Sequence, residues 1–301
     1  MVRFGGYSKA FHSLEGLFLP SFKSTNMKKA VKRIAWTLII LCVLLGILFV
    51  VSWKSPKYYR VAGLLTEQAI IPFSSYQSNH PRPMIVRQQN ALIFGAAHTK
   101  DPKAPEIKQI EDEWNTFKPT VALVEGRLGF LLPGVMNPVE KLGEGGKVKA
   151  LAHRDGIPLY NWDLSKEELA KQLQGRFVPE QIAIAQILNP YFGNLRHGRP
   201  NSPELFVEEY LKRAAYVGLQ DRIRTVADVD RLWKQYFTDI DWRNVSDEQP
   251  LPGYLATMME FTNDLRNQQL VSAIKELTAK GERVFVICGS SHAYCVAPVF
   301  Q

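Results

Sequence analysis

The pattern Gly-x-x-His occurs twice after a short apolar segment of this sequence. ALIF at 91–94 precedes His98, and VFVIC at 284–288 precedes His292. Such continuous apolar segments are typical of buried strands, and a glycine after a strand permits the sharp turn that returns the histidine over the strand end. A single histidine in this position is usually a hydrogen-bonded structural residue, but the repeat favours two histidines that act together.

A carboxylate follows a third apolar segment, VALV, which precedes Glu125-Gly-Arg127. The carboxyl ends of parallel strands meet at one edge of a sheet, so we expect His98, Glu125 and His292 to converge. Two imidazoles and a carboxylate suit Zn²⁺, Mn²⁺ or Co²⁺, which lower the pKa of bound water toward ~7. The sequence therefore predicts a divalent transition-metal site. In the structural alternative, Glu125 only pairs with Arg127 or Lys147.

The apolar segments alternate with helical patterns, which predicts an α/β domain with a mainly parallel central sheet covered by helices. IPLY at 157–160 is a fourth strand candidate. Asp163 behind it either belongs to the same sheet edge or caps a helix that starts near Ser165. The stretch 178–240 has only helical patterns and predicts a helical insert. Further helices are predicted at 104–117, 146–154 and 255–280.

Residues 34–53 carry no charge and are long enough, as a helix, to cross the ~30 Å hydrocarbon layer of a membrane. Residues 1–33 hold seven basic side chains and one acidic side chain. Positive-inside bias therefore predicts a single-pass protein with a cytoplasmic N-terminus and a periplasmic or extracellular main domain. A cleaved signal peptide is the rival interpretation, which the length of the apolar stretch disfavours. The rest of the chain is nearly neutral, which argues against a nucleic-acid partner.

Residues 54–83 contain four prolines and no sustained periodicity, which predicts a juxtamembrane linker with one short helix at 61–69. The α/β domain is then predicted at 84–301. The chain has too few cysteines for a disulfide framework. A bridge between Cys288 and Cys295 is conceivable in an exported domain, but such cysteines are more often small buried apolar residues.

The order of the motifs resembles the Tiki/TraB superfamily. Along 84–301 this order is Gly-x-x-His, a strand ending in Val-Glu-Gly-Arg, an Arg-Asn pair at Arg266 and Asn267, and a second Gly-x-x-His. The superfamily includes the Wnt-inactivating Tiki metalloproteases and the bacterial pheromone-shutdown proteins. More distant members are erythromycin esterases and ChaN-type haem-binding lipoproteins.

The resemblance implies roles for the matching residues. His98 and His292 would be metal-binding or catalytic, and Glu125 would be a metal ligand or a general base. Arg127 would be an anion or oxyanion partner. Arg266 would match the arginine of the family's Arg-Asn element, with Asn267 beside it.

Two functions are therefore hypotheses. The first is a metal-dependent hydrolase that cleaves a peptide or a small ester outside the cytoplasm, with Arg127 or Arg266 stabilising the oxyanion. The second is a non-catalytic module of the same fold that binds haem or a peptide signal. Ser290 and Ser291 are not in a Gly-x-Ser-x-Gly elbow, and the thiol of Cys288 inside an apolar strand would be inert.

Overall fold

The computed structural model describes residues 24–52, 55–132, 134–246 and 248–301, which belong to two compact units, 1–52 and 53–301. In the first unit, helix α1 covers Ser24–Ser52. Its segment Lys29–Val50 has a mean hydropathy of 2.6 and is long and apolar enough to cross a membrane. One apolar helix near the N-terminus is thus present, as predicted. The rest of the basic N-terminus, residues 1–23, lies outside the described residues.

The second unit is built on one six-stranded sheet whose strands are β1 (Lys57–Tyr58), β2 (Met84–Gln88), β3 (Ala91–Ala96), β4 (Val121–Val124), β5 (Leu159–Asn161) and β6 (Val284–Gly289). Their order across the sheet is β1-β5-β4-β6-β3-β2. All neighbouring strands are parallel except β2, which is antiparallel to β3. The predicted α/β class with a mainly parallel sheet is confirmed.

The helices of this unit are α2 (Pro105–Phe117), α3 (Pro138–Asp155), α4 (Lys166–Leu173), α5 (Pro179–Asn194), α6 (Pro203–Glu208), α7 (Val226–Tyr236), α8 (Tyr254–Ala279) and α9 (Ser290–Val296). Helices α2 and α3 cover one face of the sheet, and α8 and α9 cover the other. Side chains alternate along each strand, so β3, β4 and β6 are apolar towards both faces. Phe94 and Phe285 pack with α2 and α3, where Trp114 is buried. Ile93 and Val286 pack with α8 and α9 on the other face.

The region 178–240 forms helices and no strand, as predicted for an insert. Helices α5 and α7 and the turns between them enclose an apolar core of their own. Two buried indoles fix the end of this core. Trp233 donates to the carbonyl of Ile240 over 2.6 Å, and Trp242 donates to Asp230 over 2.7 Å.

The prediction that 54–83 is a juxtamembrane linker outside the domain is wrong for the described residues 55–83, because this segment packs against the domain. Strand β1 joins the sheet beside β5, and the amide of Leu65 donates to Ser272 on α8 over 2.8 Å. The amide of Phe73 donates to Asp264, also on α8, over 2.7 Å. The predicted helix at 61–69 is absent, and the segment has one 3-10 turn at Phe73–Ser75. The domain therefore includes this segment.

Gly95 in β3 lies where helix α9 crosses the sheet. A β-carbon there would be 2.5 Å from the β-carbon of Ala293 and 2.9 Å from the α-carbon of Ser290. Real β-carbons do not approach other atoms so closely, and the second contact is backbone, which cannot rotate away. Gly95 thus sets the distance between β3 and the helix that carries His292.

We expect Gly95→Ala to lower the melting temperature of the full chain, because α9 must move off the sheet. Overpacking typically costs about 1–3 kcal/mol, and about 2–4 °C per kcal/mol is usual for a domain of this size. Gly193→Ala in helix α5 is the control, since nothing lies within 4 Å of the added carbon. Equal melting temperatures for the two variants would contradict close packing of α9 against Gly95.

Candidate active site

The carboxyl ends of four parallel strands bring the predicted residues to one edge of the sheet. His98 follows β3, Glu125 follows β4, Asp163 follows β5, and His292 lies in the first turn of α9 directly after β6. Arg266 reaches the same edge from α8. The convergence predicted from strand order is therefore present.

Arg266 is the centre of this site. Its Nη2 donates to Glu125 Oε1 over 2.7 Å, and its Nε and Nη2 donate to the two oxygens of Asp163 over 2.8 and 3.2 Å. Its Nη1 lies 3.1 Å from Asn263 Oδ1 and 2.9 Å from His292 Nε2. A guanidinium has five N–H bonds. All of them have acceptors here, so Arg266 has no donor left for an oxyanion.

Both carboxylates around Arg266 are at most about a quarter exposed, with side-chain exposures of 27% for Glu125 and 15% for Asp163. Burial alone would raise the pKa of Glu125. The charge of Arg266, together with hydrogen bonds from Arg266 and from the amide of Gly289 at 2.7 Å, lowers it to about 2. Burial likewise opposes the charge of Arg266, but Asp163 and Glu125 outweigh it and raise the pKa of the guanidinium. The site therefore holds a fixed set of ionised groups at neutral pH.

His292 is buried, and both ring nitrogens have partners. Arg266 can only donate, so His292 Nε2 accepts, and the ring proton must be on Nδ1, which donates to Asn267 Oδ1 over 2.7 Å. Burial and the charge of Arg266 lower the pKa of His292 to about 4, so the ring is neutral at pH 7. Trp162 packs edge-on against it with ring centroids 5.3 Å apart. Asn267, predicted as a possible site residue, thus fixes the tautomer of His292.

His98 is exposed and has a left-handed backbone with φ 68°. A β-carbon at Gly289 would lie 2.8 Å from His98 Nε2 and 3.6 Å from Glu125 Oε2, so only glycine leaves room for the imidazole beside the carboxylate. Within the described part of the chain, the imidazole of His98 makes no hydrogen bond or ion pair. His98 is therefore free to meet a ligand, whereas His292 is not.

Sequence reasoning missed two glutamates that hold the His98 loop. The amide of Ala97 donates to Glu106 over 3.3 Å, and the amide of Thr99 donates to Glu144. Both glutamates are buried, and burial together with a hydrogen bond to Glu144 raises the pKa of Glu106 to about 7. The available signal was Gly143 beside Glu144, shortly before the helix predicted at 146–154. Its φ of 64° kinks α3 toward the loop.

Arg127 lies outside the Arg266 network. It is exposed and lines an adjoining cavity of about 610 Å³, which shares Gly126 and Asp163 with the edge of the site. The alternative in which Glu125 merely pairs with Arg127 or Lys147 is wrong, because Glu125 pairs with Arg266 and Lys147 pairs with Glu111 over 2.7 Å.

The three predicted metal ligands do not fit an ion in this arrangement. The guanidinium of Arg266 stands beside Glu125 Oε1 and His292 Nε2, and the other nitrogen of His292 is held by Asn267. Across the described residues, no group of three or more His, Cys, Asp and Glu side chains is arranged around a metal position. Binding of an ion by all three side chains requires Arg266 to leave His292, and it stays a prediction.

The described cysteines are free, so no bridge joins Cys288 and Cys295. Both thiols are buried, and burial raises the pKa of Cys295 to about 11 and that of Cys288 well above its usual value. A protonated buried thiol is a poor nucleophile. Cys288 therefore contributes packing, not chemistry.

No protein-family model, no curated protein and no solved structure matches the chain. The resemblance to the Tiki/TraB superfamily thus depends on the motifs at His98, Glu125, Arg266 and His292. Membership in that superfamily stays a prediction.

Arg266→Lys should destabilise the full chain, because an ammonium keeps the charge but has only three donors for the acceptors now bound. Each buried polar group left unpaired costs about 1–3 kcal/mol. With two such groups, we expect a melting temperature lower by roughly 4–8 °C or more. Arg127→Lys, at an exposed arginine outside the network, is the matched control and should change it by less than about 2 °C. Similar melting temperatures for both variants would refute the central role of Arg266.

Proposed function

We propose that this protein is a hydrolase that cleaves an amide or ester bond. The observation that carries the proposal is the exposed imidazole of His98 beside the ionised carboxylate of Glu125, at the carboxyl edge of a parallel sheet. Ligands of open α/β sheets bind at this edge, and imidazole is the side chain that most often transfers protons in catalysis.

His98 is the acid–base group in this proposal. It accepts a proton from water as the water oxygen bonds to the carbonyl carbon, and it returns the proton to the leaving nitrogen or oxygen as the scissile bond breaks. The negative charge of Glu125 favours the transient imidazolium through space, since no hydrogen bond joins the two side chains. Arg266 acts as a positioning residue because it binds this carboxylate, and His292 in turn accepts a hydrogen bond from Arg266; neither side chain has an unused donor or acceptor.

Hydrolysis through a metal ion remains a separate proposal. A divalent ion would supply Lewis-acid polarisation and a more acidic bound water. Among the described residues, His98 is the predicted ligand without a bound partner, whereas Glu125 is engaged by Arg266 and Gly289, and His292 by Arg266 and Asn267. The chemistry assigned to His98 above does not depend on such an ion.

We expect His98→Gln to reduce turnover of responsive substrates by about 100-fold or more, because glutamine cannot take up the proton. The measurement is a screen of the full chain against fluorogenic peptide amides and nitrophenyl esters. His153→Gln is the control, since His153 is exposed near the C-terminus of α3, before the start of β5 and not at a carboxyl strand end. Unchanged turnover in His98→Gln would reject the proposed role of His98.

Metal analysis of the same preparations tests whether hydrolysis instead depends on a metal ion. A ligand role would replace the acid–base role of His98 if two results are found together. The unmodified chain would hold stoichiometric transition metal that is lost in His98→Gln, and chelators would abolish turnover that Mn²⁺, Co²⁺ or Zn²⁺ restores. Absence of turnover on every substrate, with haem or peptide binding intact, would favour the non-catalytic binding module.

We further propose that α1 is an uncleaved membrane anchor with a cytoplasmic N-terminus. Its support is the length and apolar character of Lys29–Val50 together with the basic residues before it.

A topology reporter fused after Gln301 should therefore report the exported side of the membrane. Moving the basic residues of 28–33 to the other flank of the helix should weaken or reverse that signal. Cytoplasmic reporter activity would overturn the orientation, and a mature protein lacking α1 by mass would show that the helix is a cleaved signal sequence.

A further inference from the structure

The cavity of about 610 Å³ beside the site has an unusual distribution of charge. Four basic side chains line it: Arg127, Lys166, Lys212 and Arg213. The acidic residues on its wall are Asp163, Glu167 and Glu209. Arg127, Lys212, Glu167 and Glu209 are exposed, so water and salt screen these charges at the rim.

The half-buried part of the wall holds two cations, Lys166 and Arg213, and one carboxylate, Asp163. Asp163 is already bound by both the Nε and the Nη2 of Arg266. Arg213 is held by the carbonyl of Gln186 over 2.8 Å, a neutral acceptor. Among the described residues, neither cation of the cavity interior therefore makes a hydrogen bond with a carboxylate, and Asp163 offsets their charge only in part.

Lys166 is the cation of this cavity best placed to bind an anion. Among the residues that the structure describes, its ammonium makes no hydrogen bond and no ion pair. Burial lowers its pKa; Asp163 opposes this, while the charges of Arg266 and Arg213 lower the pKa further. A half-buried ammonium without a counter-ion destabilises the fold, and perturbed groups of this kind cluster at functional sites.

The other walls suit an anion with an organic body. Tyr58, Tyr210 and Tyr216 are half-buried around the same cavity. The guanidinium of Arg213 lies over the ring of Tyr210, 4.6 Å from its centroid, which fixes the cation in place. Burial and the nearby Asp163 raise the pKa of Tyr58, so its phenol stays a neutral donor.

The cavity adjoins the proposed reaction site. Gly126 and Asp163 line both this cavity and the pocket that contains His98 and Glu125. A substrate with its scissile carbonyl at His98 can therefore extend past Gly126 toward Lys166. We propose that the cavity binds a carboxylate or phosphate group of the substrate, so that the hydrolase acts on anionic molecules; this inference rests on the function proposed above.

The binding test measures melting temperatures of the full chain in detergent with sodium phosphate or sodium acetate, against sodium chloride at equal ionic strength. Phosphate, acetate or both should raise the melting temperature by about 5 °C or more at roughly one hundred times the dissociation constant. The two salts distinguish a phosphate from a carboxylate ligand. No shift with either salt would overturn the proposal.

Lys166→Met should preserve or raise the stability of the chain but lower its affinity for anions. Without anion its melting temperature should equal or exceed that of the unmodified chain, because the repulsion from Arg266 and Arg213 is gone. The affinity for the anion should fall at least about tenfold, as expected for a lost buried charge contact. Lys166→Arg should restore binding. Lys171→Met, on the exposed side of the same helix, should change neither quantity. Equal anion affinity in Lys166→Met and Lys171→Met would overturn the proposal.

His98→Gln separates this inference from the proposed hydrolysis, since it should keep the anion affinity while turnover is lost. A chain that binds phosphate or acetate through Lys166 but hydrolyses nothing would reject the hydrolase and leave the anion site. A chain that hydrolyses carboxylate and carboxamide versions of one substrate with the same KM would reject the anion site and leave the hydrolase.

Discussion

A single guanidinium determines how the strand ends are arranged. Four strands deliver side chains to one edge of the sheet, and those of β4, β5 and β6 carry acceptors that meet on Arg266: Glu125, Asp163 and His292. Two carboxylates this close would repel each other and raise each other's pKa without a shared cation. Arg266 removes that cost, and its planar donors also fix the angle of each partner. The geometry of the edge is therefore set from α8, which approaches from outside the sheet.

The two Gly-x-x-His motifs look alike in sequence but give their histidines opposite environments. After β6 the chain turns at once into helix α9, which buries His292 between Arg266, Asn267 and Trp162. After β3 the chain continues into a left-handed loop that the buried Glu106 and Glu144 hold by its amides, and His98 stays exposed. The motif thus specifies a position at the sheet edge, and the element that follows decides whether the imidazole is buried or exposed.

Sequence reasoning recovered what local patterns encode. The apolar segments of β3, β4 and β6 and the long helix α8 are at or near their predicted positions, and strand order then implies convergence. Strand β1 has only two residues, too few for a periodicity, and its partner β5 is about one hundred positions away. The residue types of His98, Glu125 and His292 predicted a metal ion, but they could not reveal that a guanidinium lies between Glu125 and His292. Arg266 was identified, but its five occupied donors could be read only from the structure.

The contrast between Arg266 and Lys166 explains how one edge can be both rigid and open to a ligand. Both cations lie near Asp163, but Asp163 has both oxygens on Arg266, so Lys166 is left with attraction at a distance and no bond. A satisfied buried cation stabilises a shape, whereas an unsatisfied one lowers stability until an anion arrives. Strain of this kind is common at ligand-binding sites, where stability is lost for function. The fixed Arg266 network holds Glu125 beside His98, and the uncompensated charge next to it gives the cavity its preference for negative ligands.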